Sequence, residues 1–432
     1  MGSANSARRG LALAGRTAQV LVLVLALLVP AALAGLMTAV RRGRPAGWRH
    51  FYRRLTRLAI RLGPTFIKAG QVIGTRRDVL PVALCDELAV LADSVDAIGR
   101  VESRRGLEQA YPDDLDQLFS TITEQPIAAG SVACVYRGTL RSGQDVALKL
   151  RRPGVERVMT LDLTLMRRGA AFAAKLPTFR GMPVTDVVGS VCEAVLSQID
   201  FVREADSLRR LRHNLSAVPR VWVPHVHAEI SGPGCIVMEF IPDLDIHTAA
   251  ACPPAMRRQF AASALTALYQ MLFVDGFVHC DLHQGNLYFT RRGQVVVLDA
   301  GFSVWLTDRL RRLFAEFFLN MSLGRGRRCA EIVIESAAGF RPDADLDGFI
   351  TAMAVLVERN HGLAAKDFSL IAFAGEMFDL QRKFGIHAAS ALVFPLLSLL
   401  VIEGTIRDLD PDADFQQTAR PVLSRALFAA AR

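Results

Sequence analysis

The stretch GFVHCDLHQGNLYFTRRGQVVVLDAG (276–301) decides the reading. Asp281 and Asn286 stand five residues apart in a turn that holds Gly285, and Asp299 ends an apolar run ahead of Ala300 and Gly301. LYFT and VVVLD read as two short strands joined at Arg292-Gly293. A magnesium–phosphate site needs hard oxygen ligands held on rigid strand ends. Here Asn286 and Asp299 would be metal ligands, with Asp281 beside them as the candidate base. Any one of the three fits an ordinary turn, because Asp, Asn and Gly favour turns. That bland reading fails for the set, which combines an Asp–x4–Asn turn, a hairpin and Asp–x–Gly in order.

This order is the protein-kinase solution, and the residues upstream agree with it. Lys149 sits in VALKL, matching the kinase VAIK strand pattern. A lysine inside an apolar strand needs an anionic partner or a phosphate, since burying it bare is costly. The competing reading is an edge-strand lysine snorkelling to solvent. Val188, Val191, Val195, Ile199 and Val202 recur at helical steps, predicting one helix over 186–214. On it Glu204 follows Asp200 by four residues and is the expected partner of Lys149. A hairpin is expected over 127–150 with its turn at Ser142-Gly143, strands at RVWVPHV and GCIVMEFI, and a helix near 254–275. Beyond Asp308 the chain reads as helical. Ala388–Ile402 is apolar but short and contains Pro395, which predicts a buried core helix. The sum is an α+β, two-lobed, protein-kinase-like fold.

Several segments resemble the ABC1/UbiB (AarF/ADCK-like) atypical kinases. GPTFIKAGQVIGTRRDVLP (63–81) is similar to their KxGQ segment, and IAAGSVACVYRG (127–138) to their alanine-rich loop. QIDFVREA (198–205) resembles their ExD helix, HCDLHQGN (279–286) their HADPHPGN, and LDAG (298–301) their LDFG. LLVIEGTIRDLDPDADF (399–415) resembles their C-terminal element, so the likeness runs over about 50–415 in one order. The resemblance implies an ATP- and Mg2+-using enzyme, a kinase-like phosphotransferase or ATPase, in isoprenoid quinone or related prenyl-lipid biosynthesis. Lys68 of the N-terminal extension would reach the nucleotide pocket where a protein substrate would otherwise lie. Ala128, Ala129, Gly130, Ser131, Lys149, Glu239, Gln71 and Asp200 would line the nucleotide side. His279 would brace the loop as the HRD histidine does. Possible partners are prenyl-quinone intermediates and their biosynthetic enzymes.

The chain departs from the pattern in places. Gln198 replaces the first acid of ExD, and an amide cannot neutralise Lys68 or a cation. Gly130 stands where alanine is usual, Ala133-Cys134 replace Gly-Gln, and Ala300 replaces the DFG phenylalanine. These changes keep open a nucleotide-binding scaffold as the alternative to an enzyme. A small-molecule phosphotransferase of the aminoglycoside-kinase type shares the HxDxxxxN loop but lacks the KxGQ extension. Cys280 has no paired base and reads as a small-residue substitution.

Composition sets the surroundings. The 432 residues carry a net charge of +9, mostly arginine, and show no aromatic-plus-basic stripe for nucleic acid. Seven cysteines at no metal-ligand spacing read as free thiols in a reducing compartment. Thr17–Val40 is uncharged and long enough to span a bilayer core of about 30 Å. Arg8, Arg9 and Arg16 precede it, and Arg41, Arg42, Arg44, Arg49, Arg53 and Arg54 follow it. The downstream excess predicts a single-pass anchor on a bacterial cytoplasmic membrane, with the body cytoplasmic and anionic lipid as partner. Ala32-Leu33-Ala34 would instead suit signal-peptide cleavage, but an extracellular ATP-using domain makes little sense. Met1-Gly2-Ser3-Ala4-Asn5-Ser6 fits a myristoylation pattern that is short and common by chance. Expected divisions are a membrane anchor at 1–44, a helical KxGQ extension at 45–118, a small lobe at 119–245 and a large lobe at 246–432.

Overall fold

The computed structural model describes residues 2–74, 80–88, 91, 98–112, 114–176, 184–283, 285–361, 363 and 367–428. Residues 75–79 of the KxGQ segment and Gln284 lie outside them. The apolar N-terminal run folds as α1 (Gly2–Arg42), and Leu11–Arg42 is long and apolar enough to cross a membrane. Gly43, at φ 88°, reverses the chain into α2 (Arg44–Leu62). Gly63, at φ 104°, then turns it into α3 (Pro64–Gly74), whose leading proline suits a first helical turn. Three short helices follow: α4 (Val82–Leu88), α5 (Arg100–Ala110) and α6 (Leu115–Leu118).

Next come β1 (Phe119–Ile122), β2 (Ala128–Ala129), β3 (Ala133–Leu140) and β4 (Asp145–Arg151). The β3–β4 turn falls at Ser142-Gly143 as expected, with Gly143 at φ 87°. Helices α7 (Val155–Ala173), α8 (Val184–Ser197) and α9 (Phe201–Asn214) follow. The helix expected over 186–214 is therefore two helices. Asp200 breaks it by adopting an extended N-cap conformation and accepting the Arg203 N–H, which starts α9 afresh. The strand expected at RVWVPHV shrinks to β5 (Val221–Trp222) plus a bridge from Val226 to Met238 in β6 (Cys235–Glu239). Pro224 lies between them and has no N–H for a ladder. The five-stranded sheet runs β1–β3–β4–β6, with β2 on β3.

Helix α10 (Pro254–Tyr269) continues as a π turn, Gln270–Asp275. Then come β7 (Phe277–His279), β8 (Leu287–Phe289), β9 (Val295–Val297) and β10 (Ser303–Trp305). The C-terminal part contains α11 (Asp308–Ser322), α12 (Gly326–Glu335), β11 (Ala337–Phe340), α13 (Leu346–Asn360), α14 (Leu370–Phe384), β12 (Ile386–Ala388), α15 (Ser390–Leu409) and α16 (Phe415–Phe428). The β11–β12 pair interrupts what the sequence presents as all helix. Val393, Leu399, Ile402 and Ile406 of α15 are buried, so the apolar run around Pro395 is a core helix.

Two compact units result. The first is Met1–Leu118, Ile122–Tyr136 and Lys149–Ile199; the second is Phe119–Thr121, Arg137–Leu148 and Asp200–Arg432. The second has an aromatic core in which Phe273 stacks on Tyr269 at 5.5 Å and packs against Phe314 and Phe318.

Candidate functional site

In the second unit, two strand pairings bring the three candidate residues of 276–301 together. Antiparallel β7–β10 sets His279 opposite Ser303, and β8–β9 sets Leu287 opposite Val297. Asp281 leaves β7, Asn286 enters β8 and Asp299 leaves β9, so all three emerge from paired strand ends. Asn286 Nδ2 donates to Asp281 O at 2.8 Å, and its own carbonyl accepts the Leu298 N–H at 2.8 Å. Cys280 N donates to Phe302 O, closing the turn after Asp299 onto the loop. Asp299 has φ 49°, a left-handed conformation that Asp and Asn tolerate better than other side chains. Its carboxylate accepts the Gly301 N–H at 3.3 Å.

His279 is fully buried and acts as the brace the sequence leads one to expect. Its Nδ1 accepts the Asp281 N–H at 3.1 Å, so the ring proton sits on Nε2 and is donated to Leu298 O at 3.0 Å. One neutral imidazole thus fixes the backbone beside both aspartates. Burial holds its pKa below the ordinary histidine range. The unfolded chain takes up this proton near pH 6.5 while the folded chain refuses it, so stability is lost as pH falls below that value. We expect a stability loss of up to about 1.4 kcal/mol per pH unit from this group below pH 6.5. Thermal unfolding between pH 7.5 and 5.5 should show a shallower slope in His279→Gln than in the wild type; equal slopes would remove His279 as its source.

His283 Nδ1 accepts the Gly285 N–H at 2.9 Å, and its Nε2 lies 3.6 Å from Asp281 Oδ2. Cys280 is buried and its thiol pKa is pushed well up by burial, consistent with a packing role. Ala300 is fully buried, and Phe302 packs edge-on against Phe394 of α15 at 5.0 Å. An aromatic anchor therefore exists two residues after the position where the kinase pattern carries one. Sequence reasoning missed Ser398, whose hydroxyl donates to His279 O at 2.8 Å. A serine in an apolar run was its only signal. It also missed Arg210, whose guanidinium lies 4.9 Å from the Trp305 ring centre and ties α9 to β10.

Glu204 lies in the first turn of α9 and is buried. Glu239 ends β6, and its carboxylate accepts the His225 N–H at 3.0 Å with Arg212 Nη1 at 3.5 Å. In the first unit, β2–β3 pairing registers Ala128 with Val135 and Ala129 with Cys134. Arg152 Nε donates to Gly130 O at 2.7 Å and pins this loop, while Ser131 is buried within it. A methyl group on Gly130 would meet only Ala133 O, at an ordinary 3.6 Å, so the backbone does not require glycine there. Lys149 lies in β4 of the same unit.

Lys68 and Gln71 share α3, with Lys68 buried. Gln71 Nε2 donates to Leu91 O at 2.7 Å, so its amide holds the connector after α4. A Cβ on Gly70 would lie 2.4 Å from Leu91 Cδ1, which explains the glycine of the motif by close packing. Asp162 of α7 is wholly buried and accepts Thr65 Oγ1 at 2.7 Å and Arg16 Nε at 2.7 Å, joining α1, α3 and α7.

Among the described residues, no three His, Cys, Asp or Glu side chains group closely enough to cage a metal. Mg2+ does not need such a cage, because it binds through one or two protein oxygens plus substrate phosphates and water. The Asn286–Asp299 pair fits that donor requirement.

A model of the ABC1 atypical kinase-like domain matches residues 90–333. A Probable protein kinase UbiB of Actinobacillus pleuropneumoniae serotype 5b is 32% identical over 388 residues, covering 86% of this chain and 70% of the relative. Its counterpart of the same name in Vibrio vulnificus strain YJ016 is 32% identical over 380 residues, covering 85% and 69%. The solved structure of the Mycobacterium tuberculosis Rv3197–erythromycin complex matches the fold at a TM-score of 0.56 and 18% identity, covering 83% of this chain and 90% of that one. With the loop, strand pairings and Asp–x–Gly turn in place, the chain belongs to the ABC1 atypical kinase-like family.

Proposed function

We propose that this protein is an ATP-using atypical kinase or ATPase at the cytoplasmic face of a bacterial membrane, serving ubiquinone or related prenyl-lipid biosynthesis. The observation that carries the chemistry is the convergence of Asp281, Asn286 and Asp299 on paired strand ends, braced by one neutral histidine. Asn286 and Asp299 would hold Mg2+, which would supply positive charge against the nucleotide phosphates. Lys149, whose expected partner in the kinase pattern is Glu204, would clamp the α/β-phosphates. Asp281 orients a hydroxyl or a water. The family resemblance assigns Lys68, Gln71, Asp200 and the loop Ala128–Ser131 to the nucleotide side. The pathway rests on the UbiB names of the relatives, and the membrane location on the apolar α1.

A second reading, a nucleotide-binding scaffold, is favoured by Gln198 in place of an acid and by Glu239, whose carboxylate is engaged by His225 and Arg212. Steady-state ATP hydrolysis by the full chain, beside Asp281→Asn, separates the two. Turnover that falls by about 10²-fold or more in the variant, with Mg-nucleotide binding retained, is the expected result. Equal turnover in both proteins overturns the role of Asp281. Mg-dependent binding with no turnover in the wild type establishes the scaffold instead.

A further inference from the structure

The two N-terminal helices form an antiparallel pair along almost the whole apolar run. Near the turn, a Cβ on Gly47 would lie 2.6 Å from Ala39 Cβ and 2.6 Å from Gly35 O, so the backbones touch. At the far end Arg16 Nη2 donates to Leu62 O at 2.7 Å while its Nε holds buried Asp162. One face of α1 is thus pressed against α2: Ala31 and Gly35 are buried, and Leu23 to Leu28 contribute half-buried positions. The opposite ridge is bare. Leu21, Leu25, Val29, Leu33, Leu36 and Val40 follow the helical period and are each more than half exposed. Exposed Arg49, Arg53, Arg57 and Arg61 recur every four residues on α2, alongside the apolar run of α1. Trp48 is 56% exposed at the turn end.

We propose that α1 and α2 act as one helical hairpin that lies in the plane of an anionic bilayer surface. The bare ridge of α1 enters the acyl boundary, and the arginine row of α2 meets lipid phosphates. This rests on the membrane location proposed above and is independent of the nucleotide chemistry. If α1 crossed the bilayer with α2 still paired to it, Arg49, Arg53 and Arg57 would be drawn to membrane depth, where each arginine is costly. In the plane, the same arginines sit at headgroup level and add electrostatic attraction. Trp48 is suited to that interface. The Arg16–Asp162 and Thr65–Asp162 bonds then fasten the hairpin to α7 and α3, and hence to the helix carrying Lys68. The single-pass topology expected from the sequence puts residue 11 across the membrane from the body; the in-plane hairpin keeps it on the same side.

The test uses the full chain in a Cys252→Ala background, since the other six thiols are buried. Leu11→Cys, on a residue 80% exposed, is compared with Thr160→Cys on α7 as a marker for the body. A membrane-impermeant maleimide is added to right-side-out and to inverted bacterial membrane vesicles. Labelling of both sites from the same face is expected. Labelling of residue 11 from the face opposite residue 160 establishes the crossing helix and overturns the proposal. In a second measurement, Arg49→Gln/Arg57→Gln/Arg61→Gln should float with phosphatidylglycerol-containing vesicles about 10²-fold more weakly than the wild type, with little difference on pure phosphatidylcholine. Equal binding to anionic vesicles removes the arginine row from the interface. Failure of ATP turnover leaves both readouts unaffected, so the two proposals fail separately.

Discussion

Asp299→Asn is expected to abolish the thermal stabilisation given by Mg-ATP while shifting the ligand-free unfolding temperature by less than about 2 °C. The choice of asparagine follows from the backbone. At φ 49° an alanine would add strain to whatever the lost carboxylate cost, whereas asparagine is itself enriched in this region. The variant keeps the side-chain shape and loses the charge that a hard divalent cation requires. Turnover should fall by 10²-fold or more, a loss of about 3 kcal/mol of transition-state stabilisation. Thermal shift with and without Mg2+, run beside ATP hydrolysis, checks both parts. Unchanged stabilisation by Mg-ATP would take Asp299 out of the metal site.

The largest effect on stability is expected at Glu403, in α15. This carboxylate is 3% exposed and accepts two backbone N–H groups at the start of α14, Leu370 at 3.1 Å and Ile371 at 2.7 Å. Arg407, one turn on, lies 3.7 Å from it and 5.2 Å from the Phe415 ring centre, and also donates to Phe368 O. Glu403→Ala leaves the buried Leu370 N–H and the part-buried Ile371 N–H without their acceptor and takes the nearby carboxylate from Arg407. The cost is about 3 kcal/mol. Thermal unfolding of the full chain should move down by about 5–10 °C. A loss under about 1 kcal/mol would show that water or a neighbouring group replaces the carboxylate at no cost.

These two residues also mark how much could be read from the chain. The turn that carries Asp299 was legible because its signal is local: strands and turn occupy one run of 26 residues, 276–301. The β3–β4 turn was legible for the same reason, since Gly143 announces its positive φ. Glu403 was legible only as part of a resembling segment. Its role as a cap depends on a helix beginning 33 residues earlier, a pairing that no periodicity encodes. The break between α8 and α9 was hidden because valines keep helical spacing through it. Only the capping preference of Asp200 opposed them, and that preference won. The β11–β12 pair was missed because its partners, near 337 and 386, are short and separated by two helices. At Glu239 the nucleotide-side expectation met a carboxylate already engaged by the His225 N–H and by Arg212.

The hydroxyl of Ser398 on the carbonyl of His279 has a consequence for how this protein is made. The two residues are 119 positions apart, and the Tyr269–Phe415 bond spans 146. During synthesis the N-terminal hairpin leaves the ribosome hundreds of residues before Ser398 does. At elongation rates of roughly 5–20 residues per second, that interval lasts tens of seconds. The N-terminal hairpin is therefore complete while the 279–286 loop still lacks its last brace, which Ser398 supplies only once the C-terminal helices have been made.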